Sequence, residues 1–221
     1  MFSLFRKKKQ SRKEKSEELL KKSGIKTNDW LPDIEPDEEI ILRSPVEIAE
    51  RVTILCIINF VAFNTFSGEE ALEYIHYHNL SNLLTPLEIE FLNNPTEEKK
   101  FKESWKCEGI WVLLWSLNIV EDLEFPDHLC DLNKITPENY PIGDKKDPND
   151  FINNSWELRS KSQILDANDL YYRMDWACVD ARINGKEMQI VHPGVVYERH
   201  YALNWLINYM DQEWDDISCD T

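Results

Sequence analysis

The sequence predicts a mainly α-helical protein, and three observations support that class. Glycine is scarce, with 6 in 221 residues. Alternating runs of β-branched residues, which would indicate strands, are few. Helix starts are strongly marked by capping boxes, in which a polar residue is followed three positions later by Glu or Gln. We therefore expect a single compact multi-helix domain with little or no β-structure, preceded by a basic N-terminal arm.

Five segments carry the capping pattern: SPVE at 44–47, SGEE at 67–70, TPLE at 85–88, NPTE at 94–97 and SKSQ at 160–163. Each cap stabilises its helix by about 1 kcal/mol. With the spacing of apolar residues, they predict helices over 45–64, 68–79, 86–93, 97–118, 161–184 and 194–209. The Pro-rich stretch 119–160 separates the predicted helices 97–118 and 161–184. It is predicted to be mostly loop, with short turns following 136–139 and 147–150.

Charge divides the chain into parts. Residues 1–26 hold ten Lys or Arg and three Glu, a charge of +7, whereas the remainder carries −23. We predict a basic arm over 1–26 that is disordered or a frayed helix, a Pro-interrupted acidic linker over 27–39, and a helical domain over 40–221. The acidic body excludes duplex nucleic acid as the main partner, because the phosphates would be repelled.

The five cysteines are widely spaced, odd in number and without a CxxC pair. This pattern is typical of reduced thiols in a cytosolic protein. The longest apolar runs are too short to span a bilayer and no secretory signal is visible, so we expect a soluble cytoplasmic protein. The basic run 6–9 follows the apolar residues Phe2, Leu4 and Phe5, a combination that would permit weak contact with an anionic membrane. We favour the alternative that residues 1–26 form a solubilising or autoinhibitory tail, which rests on the acidic body.

Glu108, in the stretch CEGIWVLLWS at 107–116, is the most unusual residue. In the predicted helix 97–118 it shares one stripe with apolar residues, and further apolar residues cover the other faces. Such a helix is central and buried, and a carboxylate there is either protonated or paired. The other members of the stripe are Phe101, Trp105, Val112 and Trp115.

Two arginines are candidate partners for this carboxylate. Arg199 lies at the centre of the apolar stripe of helix 194–209. Arg173 follows Asp169 by four residues, a spacing that permits pairing within one helix. We predict that Glu108 meets Arg199 or Arg173, and that Asp169 or Asp180 pairs with the other arginine.

Two interpretations of these charges stay open. In the favoured one they form a buried network that fixes helix packing, in a non-enzymatic protein-interaction module with a basic protein partner. In the alternative they line the pocket of an enzyme or of a receptor for a small anionic ligand, which the forked arginine donors would bind. The candidate ligand-binding residues are Glu108, Asp169, Arg173, Asp180, Arg199 and His200.

No further motif predicts catalysis. His76 and His78, two apart, diverge on a helix and do not share a metal. The acidic stretch from Glu213 to Asp220 lacks the spacing of a calcium loop. GxGxxG, Walker A, HExxH and GxSxG patterns are missing from the sequence. We therefore expect no catalytic residue, metal or cofactor, and a hydrogen-bonding rather than general-base role for His200.

The chain also resembles the family called domain of unknown function 4272. Five stretches carry the resemblance: LRSPVEIAERV at 42–52, WKCEGIWVLLWSLNIV at 105–120, ILDANDLYYRMDWACVDARING at 164–185, GVVYERHYALNWL at 194–206 and WDDISCDT at 214–221. The resemblance covers residues 40 to 221 and leaves the basic arm outside. It implies a helical, mostly bacterial family without an assigned activity, so it transfers no catalytic role to any residue.

Overall fold

Helices account for all of the regular structure in residues 10–221, the part of the chain that this computed structural model describes. No strand occurs among these residues, which confirms the predicted fold class. The predicted short turns are present as a 3₁₀ turn at Pro137–Asn139 and as α7. The α-helices are α1 (Arg12–Lys22), α2 (Pro45–Ala62), α3 (Gly68–Tyr77), α4 (Pro86–Asn93), α5 (Glu97–Ser104), α6 (Cys107–Ser116), α7 (Pro148–Ile152), α8 (Lys161–Ile183) and α9 (Pro193–Leu206).

The core surrounds α6, which is apolar on nearly all faces. Every residue from Glu108 to Ser116 is buried, between α2 on one side and α9 on the other. Helix α9 packs in turn against α8, and α8 carries α1 on its outer side. Although α2 and α6 are strongly apolar, no helix in residues 10–221 combines the length and hydropathy needed to cross a membrane.

The helix starts agree with the capping patterns at four of five places. Complete capping boxes begin at Ser44, Ser67, Thr85 and Ser160. The prediction for 94–97 is wrong: Thr96 caps α5 by accepting from the Lys99 N–H, and a lysine at that position cannot return the hydrogen bond. A further box, between Ser11 and Glu14, starts α1.

The predicted helix 97–118 is wrong as a single element. It divides into α5 and α6 at Trp105 and Lys106, where backbone hydrogen bonds tighten from four-residue to three-residue spacing, as in Glu108 N–H to Trp105 O at 3.1 Å. The turn places Trp105 against Gly194, where an added Cβ would lie 2.8 Å from the indole ring. Phe101 is 67% exposed and therefore does not belong to the buried stripe.

The N-terminal region differs from the expected frayed or disordered arm. Residues 12–22 form α1, which packs along α8 and buries Leu20 almost completely. Arg12 donates to Asp166 of α8 and to Asp37, each at 2.7 Å. The basic helix is thus held by apolar contact and by the acidic surface below it. The apolar and basic residues 1–9, with the predicted membrane contact, lie outside the described residues.

Gly68, at the start of α3, lies where a side chain would strike the backbone. An added Cβ would be 2.0 Å from the Leu92 carbonyl oxygen at the end of α4. We expect Gly68→Ala to lower the free energy of unfolding by about 1–3 kcal/mol, measured by urea denaturation, because backbone must move. Gly143→Ala is the control, since a Cβ there makes an ordinary 3.5 Å contact with Lys146. Equal losses in both variants would contradict this account.

Candidate functional site

A buried ion pair joins α6 to α9. Arg199 Nε donates to Glu108 Oε2 at 2.8 Å, with the two side chains 1% and 0% exposed. The backbone N–H of Cys130 donates to Oε1 of the same carboxylate at 2.7 Å. Both carboxylate oxygens are therefore hydrogen-bonded, as burial of a charge requires. One of the two predicted pairings, Glu108 with Arg199, is confirmed.

A second nitrogen of Arg199, Nη1, reaches the segment that follows α6. It donates to the carbonyl oxygens of Leu123 and Glu124 and, at 3.0 Å, to the Tyr171 hydroxyl. Burial raises the pKa of Tyr171, so the phenol keeps its proton at neutral pH. Arg199 therefore connects α6, α8 and the segment 120–126 through one side chain.

A second buried ion pair lies within α8. Arg173 donates to both oxygens of Asp169, at 3.1 and 2.8 Å, and both side chains are 1% exposed. Arg173 also donates to the Pro32 carbonyl oxygen at 2.9 Å and lies 3.9 Å from Glu17 of α1. The predicted four-residue pairing is confirmed, and it fastens the N-terminal helix and linker to α8.

The other two candidate residues lie apart from these pairs. Asp180 accepts from Lys26 at 2.8 Å near the surface. His200 Nδ1 is 3.0 Å from Asp175 Oδ2, in a buried contact between α8 and α9. The candidates thus form separate pairs, and a ligand-binding role for them stays a prediction. Among the cavities of about 90 to 1150 Å³ described in residues 10–221, none is lined by Glu108, Asp169, Arg173, Asp180 or Arg199. His200 lines the smallest of them, of about 90 Å³.

An apolar groove of about 490 Å³ lies beside the first ion pair, and we call it the α1–α8 groove. It runs between α1, α8 and the segment 122–126. Tyr171, which contacts Arg199, forms part of its wall. The apolar residues that define it most clearly are Leu19, Leu20, Phe125, Leu170, Tyr171 and Met174.

The segment 120–126 is irregular, yet its backbone is held at several carbonyl oxygens. Arg199 donates to two of them, and Trp111 Nε1 donates to one of the same two, that of Leu123, at 3.3 Å. Arg159 Nη2 donates to the carbonyls of Val120 and Glu121 at 2.7 Å each. The His192 N–H donates to that of Pro126, also at 2.7 Å. The outer wall of the α1–α8 groove is therefore fixed from the protein interior.

One cluster of side chains was not predicted from the sequence. A ring nitrogen of His200, an oxygen of Asp175 and Sγ of Cys219 lie within 4.8 Å of one another. The C-terminal segment that carries Cys219 is positioned by Asn204, which donates to the Ser218 carbonyl oxygen at 3.0 Å. Periodicity could not reveal this cluster, because its members lie on α8, α9 and a segment without regular structure.

Comparison with known proteins places the chain in a family. The family described as "Domain of unknown function (DUF4272)" matches residues 12–217. The match begins at α1, so the predicted boundary at residue 40 is too late. This agrees with the packing of α1 on α8. No curated protein and no solved structure matches the chain. The chain belongs to the DUF4272 family.

Proposed function

We propose that this domain is a protein-interaction module whose α1–α8 groove binds a basic, amphipathic segment of a partner protein. The observation that carries the proposal is the groove itself, an apolar surface whose outer wall is fixed by the buried side chain of Arg199. A wall that is ordered before binding reduces the conformational entropy lost on association. The Glu108–Arg199 pair then supports binding indirectly, because it positions the wall of the groove without contacting the partner.

The groove is lined mainly by apolar side chains, some of them exposed and some buried. Leu19 and Phe125 are 53% and 41% exposed, while Leu20 and Met174 are buried. Amphipathic helices bind such grooves by inserting a few apolar side chains spaced three or four residues apart. A volume of about 490 Å³ accommodates a small number of such side chains.

Charge on the 122–126 side of the groove favours a basic partner. The chain carries a net charge of −16. Asp122 and Glu124 line the groove, and Asp122 is exposed to solvent. Complementary charge at the edge of an interface accelerates association and selects among partners. A segment with lysine or arginine on its polar face would meet these carboxylates as its apolar face enters the groove.

The ion pairs themselves support an interaction module over a ligand pocket. Both oxygens of Glu108 accept hydrogen bonds from the protein, and Arg173 already binds Asp169 with two donors. An anionic ligand would therefore have to compete with a buried carboxylate for each guanidinium. Breaking a buried pair costs several kcal/mol, which a small ligand would have to recover.

Leu19→Lys tests the groove without disturbing the core, because Leu19 is 53% exposed. We expect the change to weaken binding about tenfold or more, since it removes an apolar contact and adds a charge that repels a basic partner (about 1.4 kcal/mol per factor of ten). The measurement is fluorescence anisotropy with a labelled amphipathic helical peptide of Leu and Lys. The same variant is used to purify partners from native lysate.

Ile183→Lys is the matched control, an identical change in charge at a residue 76% exposed and outside the groove. It should leave peptide affinity within about twofold, a difference well below 1 kcal/mol. A partner recovered in stoichiometric amount should be lost with Leu19→Lys and retained with Ile183→Lys. Peptide binding that is equal in the two variants would overturn the proposal, as would the lack of both peptide binding and a partner.

A further inference from the structure

We infer that Asp175, His200 and Cys219 form a binding site for a divalent metal ion of the Zn²⁺ class. The inference does not depend on the proposed function. The three residues come from α8, α9 and the C-terminal segment, and their nitrogen, oxygen and sulfur atoms lie within 4.8 Å of one another. His200 and Asp175 are already in contact, at 3.0 Å. Packing of three elements therefore brings three possible ligands to one point.

The donor atoms suit zinc better than a hard cation. Zn²⁺ binds imidazole nitrogen, thiolate sulfur and carboxylate oxygen, at bond lengths of about 2.0 to 2.3 Å. In a tetrahedral site with those bond lengths, neighbouring ligand atoms are separated by about 3.3 to 3.8 Å. The Asp175–His200 contact, at 3.0 Å, is slightly shorter than this range, and the other separations are at most 4.8 Å, about 1 Å beyond it. Rotation of the side chains can bring the three atoms to these distances.

Three protein ligands would leave a fourth position open. Asp175 and Cys219 lie in the wall of a cavity of about 1150 Å³ between α8, the start of α9 and the segment 185–193. The carboxylate and the imidazole are almost completely buried, at 3% and 2% exposure, while Cys219 is partly exposed. The cavity supplies a path for the ion and room for water or another ligand. This is the arrangement of zinc sites that retain an exchangeable ligand.

The electrostatic surroundings favour a cation. Burial, together with the nearby charges of Asp175 and Glu198, raises the pKa of Cys219, and Lys106 opposes the shift. The thiol therefore holds its proton in the free protein, which is unfavourable for a nucleophilic cysteine. A bound divalent ion would deprotonate it, forming the metal–sulfur bond and releasing one proton to solvent.

A second group with metal-binding side chains, Cys107, Glu108 and Cys130, is a weaker candidate. Both oxygens of Glu108 accept hydrogen bonds, one of them from Arg199 at 2.8 Å. A cation at that position would lie beside a buried guanidinium and would be repelled by it. The site on α8 and α9 is free of such a contact: Lys106 lies near it but forms its closest carboxylate contact with Glu198, at 3.5 Å.

Titration of the full, metal-free chain with Co²⁺ tests the site, because cobalt bound by a thiolate gives a charge-transfer absorption band. We expect one equivalent of Co²⁺ to produce the band and Zn²⁺ to abolish it by displacement. Cys219→Ser should lose the band. Cys178→Ser is the matched control, since Cys178 is a buried thiol in the wall of the same cavity and lies outside the cluster. It should retain the band.

Thermal unfolding supplies a readout that does not depend on the spectrum. Zn²⁺ should raise the Tm of the wild-type chain and of Cys178→Ser, but not that of Cys219→Ser, because a ligand stabilises only the state that binds it. Asp175→Asn should weaken Co²⁺ binding about tenfold or more. The inference is overturned if the folded wild-type chain gives no band. It is also overturned if the band persists in Cys219→Ser.

Discussion

Arg199→Met should lower the free energy of unfolding by about 3–5 kcal/mol, the cost of removing one partner of a buried ion pair. The change leaves the Glu108 carboxylate, which is 0% exposed, with the Cys130 N–H but without a counterion. The carbonyl oxygens of Leu123 and Glu124 lose a charged donor at the same time. The methionine side chain fills much of the vacated volume, so the loss reports charge and hydrogen bonding more than packing.

Urea denaturation measures this loss, with Arg182→Met as the control. Arg182 is an exposed arginine on α8, and its removal should change the free energy of unfolding by less than about 0.5 kcal/mol. Glu108→Gln should also destabilise the fold, because it leaves the Arg199 charge buried and uncompensated. The double variant Glu108→Leu, Arg199→Met should recover part of the loss. A free energy of unfolding of Arg199→Met close to that of the wild type would contradict a structural role for the ion pair and favour the ligand-pocket alternative.

Arg173→Met should have an effect of similar size, about 3–5 kcal/mol, for the same reason. Asp169, which is 1% exposed, would lose both of its hydrogen bonds from the guanidinium. The two arginine variants should, however, loosen different parts of the structure. Arg173 also holds the Pro32 carbonyl and lies beside Glu17, so its loss should release α1 and the linker. Loss of Arg199 should instead release the segment 120–126.

Hydrogen exchange distinguishes the two variants. Amides of α1 should lose protection in Arg173→Met, whereas amides of 120–126 should lose it in Arg199→Met. Lys26→Met is the control, because Lys26 follows the end of α1 and its pair with Asp180 of α8 is 62% and 21% exposed. Exposed pairs contribute about 1 kcal/mol or less. An identical exchange pattern in both arginine variants would show that the two pairs support one cooperative unit.

Short-range relationships in this chain were predictable from the sequence, because one helical turn determines them. Capping boxes join residues three apart, and the Asp169–Arg173 pair joins residues four apart, so four of five predicted boxes and that pair are present. The break between α5 and α6 was not predictable in the same way. It accompanies the packing of Trp105 against Gly194, which lies on another helix.

Ion-pair partners far apart in the sequence were predictable only where a charged residue on an apolar helix face restricted the choice of partner. A buried Glu108 needs a cation, and few arginines lie on apolar faces, so Arg199 was one of two candidates. Lys26 as the partner of Asp180 lies 154 residues away on an exposed surface, where nothing restricts pairing. The cluster of Asp175, His200 and Cys219 escaped prediction because its third member lies outside any periodic element.

The position of the Glu108–Arg199 pair along the chain has a consequence for biosynthesis. Arg199 follows Glu108 by 91 residues, an interval of about 5–18 s at ordinary rates of translation. During that interval α6 emerges from the ribosome without the helix that covers it and without a counterion for its carboxylate. The uncompensated charge therefore opposes burial of the central helix until α9 has been synthesised.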